Sequence, residues 1–284
     1  EIYTLSLHDA LPISSWAFTG KKFTDKNMLK LPEVTLAALA CTHLYETVQA
    51  MKHSMKGIEF GDAVFISHKK PFYLPGNIRY QYTCRNANTD EFSYKVIYEM
   101  HKYIRTDFAL IVHYDGFVIN PRMWRDGFLD YDYIGSPWPE LKSFKDINGR
   151  ICRVGNGVSL RSKRLMELPS KLQIPFEPDE RGSYNEDLLI CIKNRHIFEA
   201  NGMKFAPLET AKYFGREAAL PENKGLKTFL FHDYFGENFK NKRFGRVRLK
   251  YLLLNKPFAY LNGTFLKPAV KKIRKKYDVL AKYK

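Results

Sequence analysis

Cysteine is scarce in this chain of 284 residues: there are four, and no two stand closer than 39 positions. Cys41, Cys84, Cys152 and Cys191 form no C-x-x-C pair, which excludes the common zinc and dithiol motifs. Their density is too low for a disulfide-stapled scaffold, so a reducing compartment is expected. Long apolar runs are missing too. Val34 to Tyr45 is too short to span a bilayer and is bracketed by Glu33 and Glu46, while Phe108 to Ile119 is interrupted by His113 and Asp115. Residues 1–14 (EIYTLSLHDALPIS) lack the basic start and long apolar centre of a signal peptide. They resemble a translated sequencing-adapter remnant, so residues 1–31 are set aside as a non-native or disordered segment, with the natural N-terminus expected elsewhere.

Acids are nearly absent from one stretch. Residues 240–284 hold 15 Lys+Arg and a single acid, Asp278, so +14 of the formal net charge of +16 sits there. What precedes is near neutral, which argues against a nucleic-acid-binding surface spread over the whole protein. From Pro268 onward, Ala269, Ile273, Tyr277 and Leu280 form an apolar stripe with basic residues on the other faces. Such an extension suits either an anionic membrane surface or packing on the core with a solvated basic face.

Hydrophobic residues make up 45% of the chain, enough to bury a sizeable core and to exclude a mainly disordered protein. Apolar residues from Pro32 to Cys41 read as a strand buried on both faces, residues 43–56 as a helix stopped by Gly57, and Asp62 to His68 as a second strand. Val96, Ile97, Met100 and Ile104 stand at helical spacing in 93–105, with Ser93 as N-cap, and Phe108 to Gly116 reads as a strand ending in a polar cluster. This βαβ rhythm predicts an α/β fold with a mainly parallel central sheet flanked by helices, spanning residues 32–239. Ligands of such sheets bind beyond the C-terminal strand ends.

The cluster His113-Tyr-Asp115-Gly falls at such an end. Asp115 there would hold a divalent cation, or Asp115 and Gly116 simply satisfy a strand-end turn, which is the commoner arrangement. Asp130-Tyr-Asp-Tyr-Ile-Gly-Ser-Pro-Trp138-Pro combines aromatics with a Gly-Ser-Pro break. Core packing explains Tyr131 and Ile134 better than Trp138. Val154-Gly-Asn156-Gly-Val-Ser-Leu-Arg161 brings two glycines around an asparagine, suiting either close approach to a ligand, with Arg161 on a phosphate, or a bulge in a hairpin. Tyr184-Asn-Glu186-Asp187 opens a helix with two carboxylates, which favour a helix N-terminus on dipole grounds and also suit a general base.

Taken in order, these strings and Phe231-His232 resemble a glycosyltransferase of the GT-A type (a Rossmann-like fold), and more narrowly a bacterial domain-of-unknown-function family described as glycosyltransferases. The resemblance covers roughly residues 32–236. It implies transfer of a sugar from a nucleotide-diphosphate donor to a hydroxyl of a surface-polysaccharide or glycolipid acceptor. His113-Tyr-Asp115 occupies the slot of the Asp-x-Asp motif that binds the donor diphosphate through Mn²⁺ or Mg²⁺, with His113 in place of the first carboxylate. His232 would complete the metal site with Asp115. Asp187, with Glu186 as second choice, would be the base of an inverting reaction, and His113, Trp138, Asn156 and Arg161 would contact the donor. A cytoplasmic enzyme, docked on the inner face of the plasma membrane through 240–284 and needing no nucleic acid, follows from this reading. The histidine at position 113 also admits a GT-A-like binding protein that has lost catalysis.

Overall fold

The computed structural model describes residues 28–218 and 220–232. The basic extension 240–284 and residues 1–27 lie outside them. The elements run β1 (Leu29–Leu39), α1 (Leu44–Ser54), β2 (Ile58–Ser67), β3 (Arg79–Tyr82), α2 (Thr89–Tyr98), β4 (Phe108–Ile111), β5 (Phe117–Val118), β6 (Tyr133–Pro137), β7 (Val154–Ser162), α3 (Lys163–Lys171), α4 (Glu186–Leu188), α5 (Arg195–Ala200), α6 (Leu208–Phe214) and β8 (Leu230–Phe231). Six strands form one sheet in the order β3-β2-β1-β4-β7-β6, and β5 pairs with β8 in a separate ribbon.

Four strands, β3, β2, β1 and β4, are mutually parallel, whereas β7 runs antiparallel to both β4 and β6. The mixed α/β fold with a mostly parallel sheet is as expected. Leu36, Ala37 and Ala38 of β1 are fully buried, which is why that strand reads as a continuous apolar run. It begins at Leu29, within the segment set aside from the sequence. Pro32, which has no N–H to give a ladder, sits where the β1–β2 register shifts between Leu31 and Thr35. Opposite it, a Cβ on Gly61 would lie 1.9 Å from the Pro32 carbonyl oxygen, so only glycine fits.

The second helix differs from the expected one. It starts at Thr89, because the Asn88 side chain accepts from the Glu91 N–H at 2.9 Å while Glu91 Oε2 accepts from the Ala87 N–H at 2.7 Å. These two bonds set the N-terminus before Ser93, which is buried inside the helix. The α-helix ends at Tyr98, and a 3₁₀ turn carries Met100–Tyr103.

Two features of topology place the site. Antiparallel β7 pairs Ser159 with Ile111, so its first residues, Gly155 to Gly157, lie beyond the C-terminal end of β4. The β5–β8 ribbon pairs Phe117 with Phe231 and delivers the next residue, His232, beside Gly116.

Candidate active site

β4 ends in a tight turn in which the His113 N–H donates to the Gly116 carbonyl at 2.8 Å and the Gly116 N–H returns to the His113 carbonyl at 3.3 Å. The strand-end turn and the cation site are therefore compatible readings of the same residues. Ligand atoms of His113, Asp115 and His232 all lie within 4.8 Å of one another. Around one ion, bonds of about 2.1 Å hold ligand atoms no more than about 4.2 Å apart, so a small inward movement closes the set. The space is defined by two glycines. A Cβ on Gly116 would meet His232 Cδ2 at 2.7 Å, and one on Gly157 would meet His113 Cε1 at 2.6 Å and Glu186 Oε1 at 3.1 Å.

The two imidazoles are electrostatically opposite. Burial, reinforced by the nearby His232 charge, lowers the His113 pKa to about 4, leaving a neutral ring with a free lone pair. Burial would also favour neutral His232, but Glu217 outweighs it, with Asp115 and Asp187 adding to the effect, and raises its pKa to about 9. His232 Nδ1 donates to Glu217 Oε1 at 3.3 Å, while Nε2 faces Asp115 Oδ1 at 3.7 Å. A carboxylate behind a ligating histidine is the usual way to fix the ring's orientation. Two nitrogens and one carboxylate suit Mn²⁺-like transition ions better than Mg²⁺, so the residues fit a divalent cation.

The carboxylate pair that opens α4 is split by its surroundings. Glu186 Oε1 accepts from Arg161 Nη2 at 2.8 Å, and both side chains are buried. Arg161 also donates from Nε to Ser159 Oγ at 2.9 Å and lies over the Tyr133 ring. Its guanidinium is thus spent inside the protein. Asp187 forms no ion pair among the described residues; its Oδ1 accepts from the Leu188 N–H at 2.8 Å. Burial and the charges of Glu186 and Glu217 push its pKa up to about 7, well above the usual carboxylate range. After α4 the chain continues as a π-helical turn, Leu189–Lys193, whose residues Leu189 to Ile192 are buried. That packing anchors the pair.

Asn156 adopts a left-handed φ of 116° and is 1% exposed. Its Oδ1 accepts from the Val158 N–H at 2.8 Å and its carbonyl accepts from the Tyr133 hydroxyl at 2.5 Å. Its Nδ2 is buried with no acceptor among the described residues, a costly arrangement that a ligand oxygen would relieve. Trp138 is placed differently. The indole is 5% exposed, is 4.8 Å from the Phe144 ring, and lies so close to Gly155 that a Cβ there would be 2.1 Å from it. The structure puts it in the core, although its position between two prolines had set it apart from the packing aromatics.

A cavity of about 410 Å³ opens at this edge of the sheet, lined by Ala40, Cys41 and Thr42 after β1, Asn86 to Thr89 before α2, and His113, Tyr114, Asp115 and His232. The profile of a family described as "Protein of unknown function (DUF5672)" matches residues 86–232, more than half of the chain. The chain belongs to the DUF5672 family. Its matched region starts and ends on this cavity's wall, at Asn86 and His232. No curated protein matches the DUF5672 chain. Among solved structures it is similar to the galactosyltransferase LgtC in complex with donor and acceptor sugar analogs, at 12% identity and a TM-score of 0.46, covering 75% of this chain and 95% of that one. It is also similar to a glycosyltransferase involved in the glycosylation of the major capsid of PBCV-1, at 10% identity and a TM-score of 0.45, covering 76% and 98%.

Glu217 is absent from the residues singled out in the sequence. It stands alone between Arg216 and Ala218, with no spacing that would mark it, and only the fold brings it to His232.

Proposed function

We propose that this chain is a glycosyltransferase that moves a sugar from a nucleotide-diphosphate donor to an acceptor hydroxyl. The observation that carries this reading is the convergence of His113, Asp115 and His232 on one point of the cavity wall, with Asp187, whose carboxyl titrates near neutrality, in the same electrostatic cluster. His113, Asp115 and His232 would hold a divalent cation, which supplies charge stabilisation to a departing diphosphate.

The chain's own residues do the rest. The donor nucleotide fills the cavity between the β1 end and the start of α2, and Asn156 Nδ2 offers its unused proton to a donor oxygen. Asp187 takes the proton of the acceptor hydroxyl. The acceptor oxygen forms its bond to the anomeric carbon as the bond from that carbon to the diphosphate oxygen breaks, and the nucleoside diphosphate leaves with the electron pair. One carboxylate placed as a base, with the other tied to Arg161, suits a single inverting displacement. A surface-polysaccharide or glycolipid acceptor fits a chain whose residues 240–284 bring +14 to an anionic membrane.

The test is a thermal-shift screen of nucleotide sugars with and without Mn²⁺, followed by transfer and hydrolysis assays on the hits. At least one nucleotide sugar should raise the unfolding midpoint, more so with the ion, and Asp187→Asn should keep that shift while losing turnover. A chain that neither binds nor turns over any nucleotide sugar sinks the proposal, and an Asp187→Asn variant with full turnover removes Asp187 as base.

A further inference from the structure

The segment 68–78, His-Lys-Lys-Pro-Phe-Tyr-Leu-Pro-Gly-Asn-Ile, joins β2 to β3. It is a braced loop. Pro71 and Ile78 are buried, and two successive turns are closed by the Leu74 N–H on the Pro71 carbonyl at 3.1 Å and the Ile78 N–H on the Pro75 carbonyl at 3.0 Å. Yet this ordered backbone holds Phe72 98% exposed. A phenyl ring gains nothing from full contact with water, so a rigid loop that presents one has the form of a contact waiting for an apolar medium. Lys69 and Lys70 beside it are exposed, and the loop contains no acid. Tyr82, the last residue of β3, is 59% exposed, and Arg85 just beyond it adds another exposed cation.

The loop shares its edge of the sheet with the cavity. Tyr73 meets Phe72 edge-on at 5.0 Å and meets Tyr45, at the start of α1, at the same distance. Two residues before Tyr45, His43 stacks on Tyr114 of the cavity wall at 4.2 Å. Glu46, which acts electrostatically on Tyr73, is the acid that α1 brings to this aromatic row.

We propose that loop 68–78 is a membrane-docking element, with Phe72 entering the interfacial region of an anionic bilayer and Lys69 and Lys70 meeting lipid phosphates. An amphipathic tip of this kind gains from apolar burial and from attraction to anionic headgroups together. A glycan-binding reading fits less well, since Phe72 has no hydrogen-bonding group and the charged residues of the loop nearest it, Lys69 and Lys70, are cations where sugar sites use carboxylates. The docking surface stands without the transfer reading; only the inference that it presents the cavity to a lipid-linked acceptor rests on it.

The experiment uses the full chain with phosphatidylcholine vesicles, with and without phosphatidylserine. F72W emission should shift to the blue and be quenched by brominated acyl chains only when the anionic lipid is present. L172W, at another exposed position, should not respond. F72S and K69E/K70E should each weaken vesicle binding by about tenfold with residues 240–284 intact. Vesicle binding that leaves F72W emission unchanged, binding indifferent to K69E/K70E, or no binding at all would each overturn the proposal. An F72W shift produced by oligosaccharides and not by vesicles would reassign the loop to glycan. Nucleotide-sugar binding and turnover are read separately, so failure of the docking surface leaves the transferase reading standing.

Discussion

Arg161 Nη2 and Glu186 Oε1 lie 2.8 Å apart in a buried ion pair that joins β7 to the start of α4. The pairing engages two candidate site residues at once. The Arg161 guanidinium is engaged inside the protein, and Glu186 Oε1 is held by it. Asp187, one residue on, has no ion pair among the described residues, and burial and the neighbouring carboxylates raise its pKa to about 7, which suits a general base at neutral pH.

Removing one partner of that pair strands the other charge in the interior, at a cost of about 3–5 kcal/mol. Glu186→Gln, which keeps one hydrogen-bond acceptor, should sit near the low end, and Arg161→Met near the high end. The R161M/E186L double variant should recover part of the loss. Urea unfolding of the four proteins checks this. Full stability of Glu186→Gln combined with lost turnover would make Glu186 the base instead.

Asp187 sets a pH dependence with two signs. As a base it must be ionised, so transfer should rise with pH and level off above about 7. Its folded-state pKa is raised above the ordinary value of 3.8, so the folded state holds a proton that the unfolded state releases. The stability from this group is therefore complete below about 4 and is lost as pH rises toward 7. Asp187→Asn should flatten both trends and lower turnover by about 10²–10⁴-fold. A pH–rate profile and denaturation at several pH values give the two readouts.

Gly157 has His113 and Glu186 pressed against it. In Gly157→Ala the new methyl would stand 2.6 Å from His113 Cε1, so the ring must move. The fold should survive, because the displaced ring borders the cavity, but Mn²⁺ affinity should fall by about 10–100-fold. Isothermal titration with Mn²⁺ tests this, and unchanged affinity would remove His113 from the ligand set.

Trp138 should behave as a core residue. Trp138→Ala deletes an indole packed on Phe144 and Gly155 and should cost about 3–5 kcal/mol. Nucleotide-sugar affinity of the folded fraction should not change. A loss of affinity without a loss of stability would return Trp138 to the binding surface.

Much of this was legible in the sequence, and the misses share a cause. Apolar β1, the Gly57 stop (φ 77°) and the polar end of β4 depend on neighbours a few residues away, and pattern reading finds them. The start of α2 lies before Ser93 because Asn88 caps the Glu91 N–H and Glu91 in turn holds the Ala87 N–H, a pair of bonds that the Ser93 position does not reveal. Trp138 was set apart by its flanking prolines, whereas the glycine that receives its ring lies 17 residues later on another strand.

By itself the sequence determined the alternation of strands and helices, the near-neutral body and the concentration of charge in 240–284, because periodicity and composition are local or additive properties. Only the tertiary structure decided which of the two carboxylates in Glu186-Asp187 pairs with Arg161. It also decided that His232 comes to His113 and Asp115, and that Glu217 stands behind it. Those outcomes depend on β7 running against β4 and on the β5–β8 ribbon returning the chain to Gly116. The pKa values of 4, 7 and 9 at His113, Asp187 and His232 come from burial and from charges that sequence distance keeps apart and folding brings together.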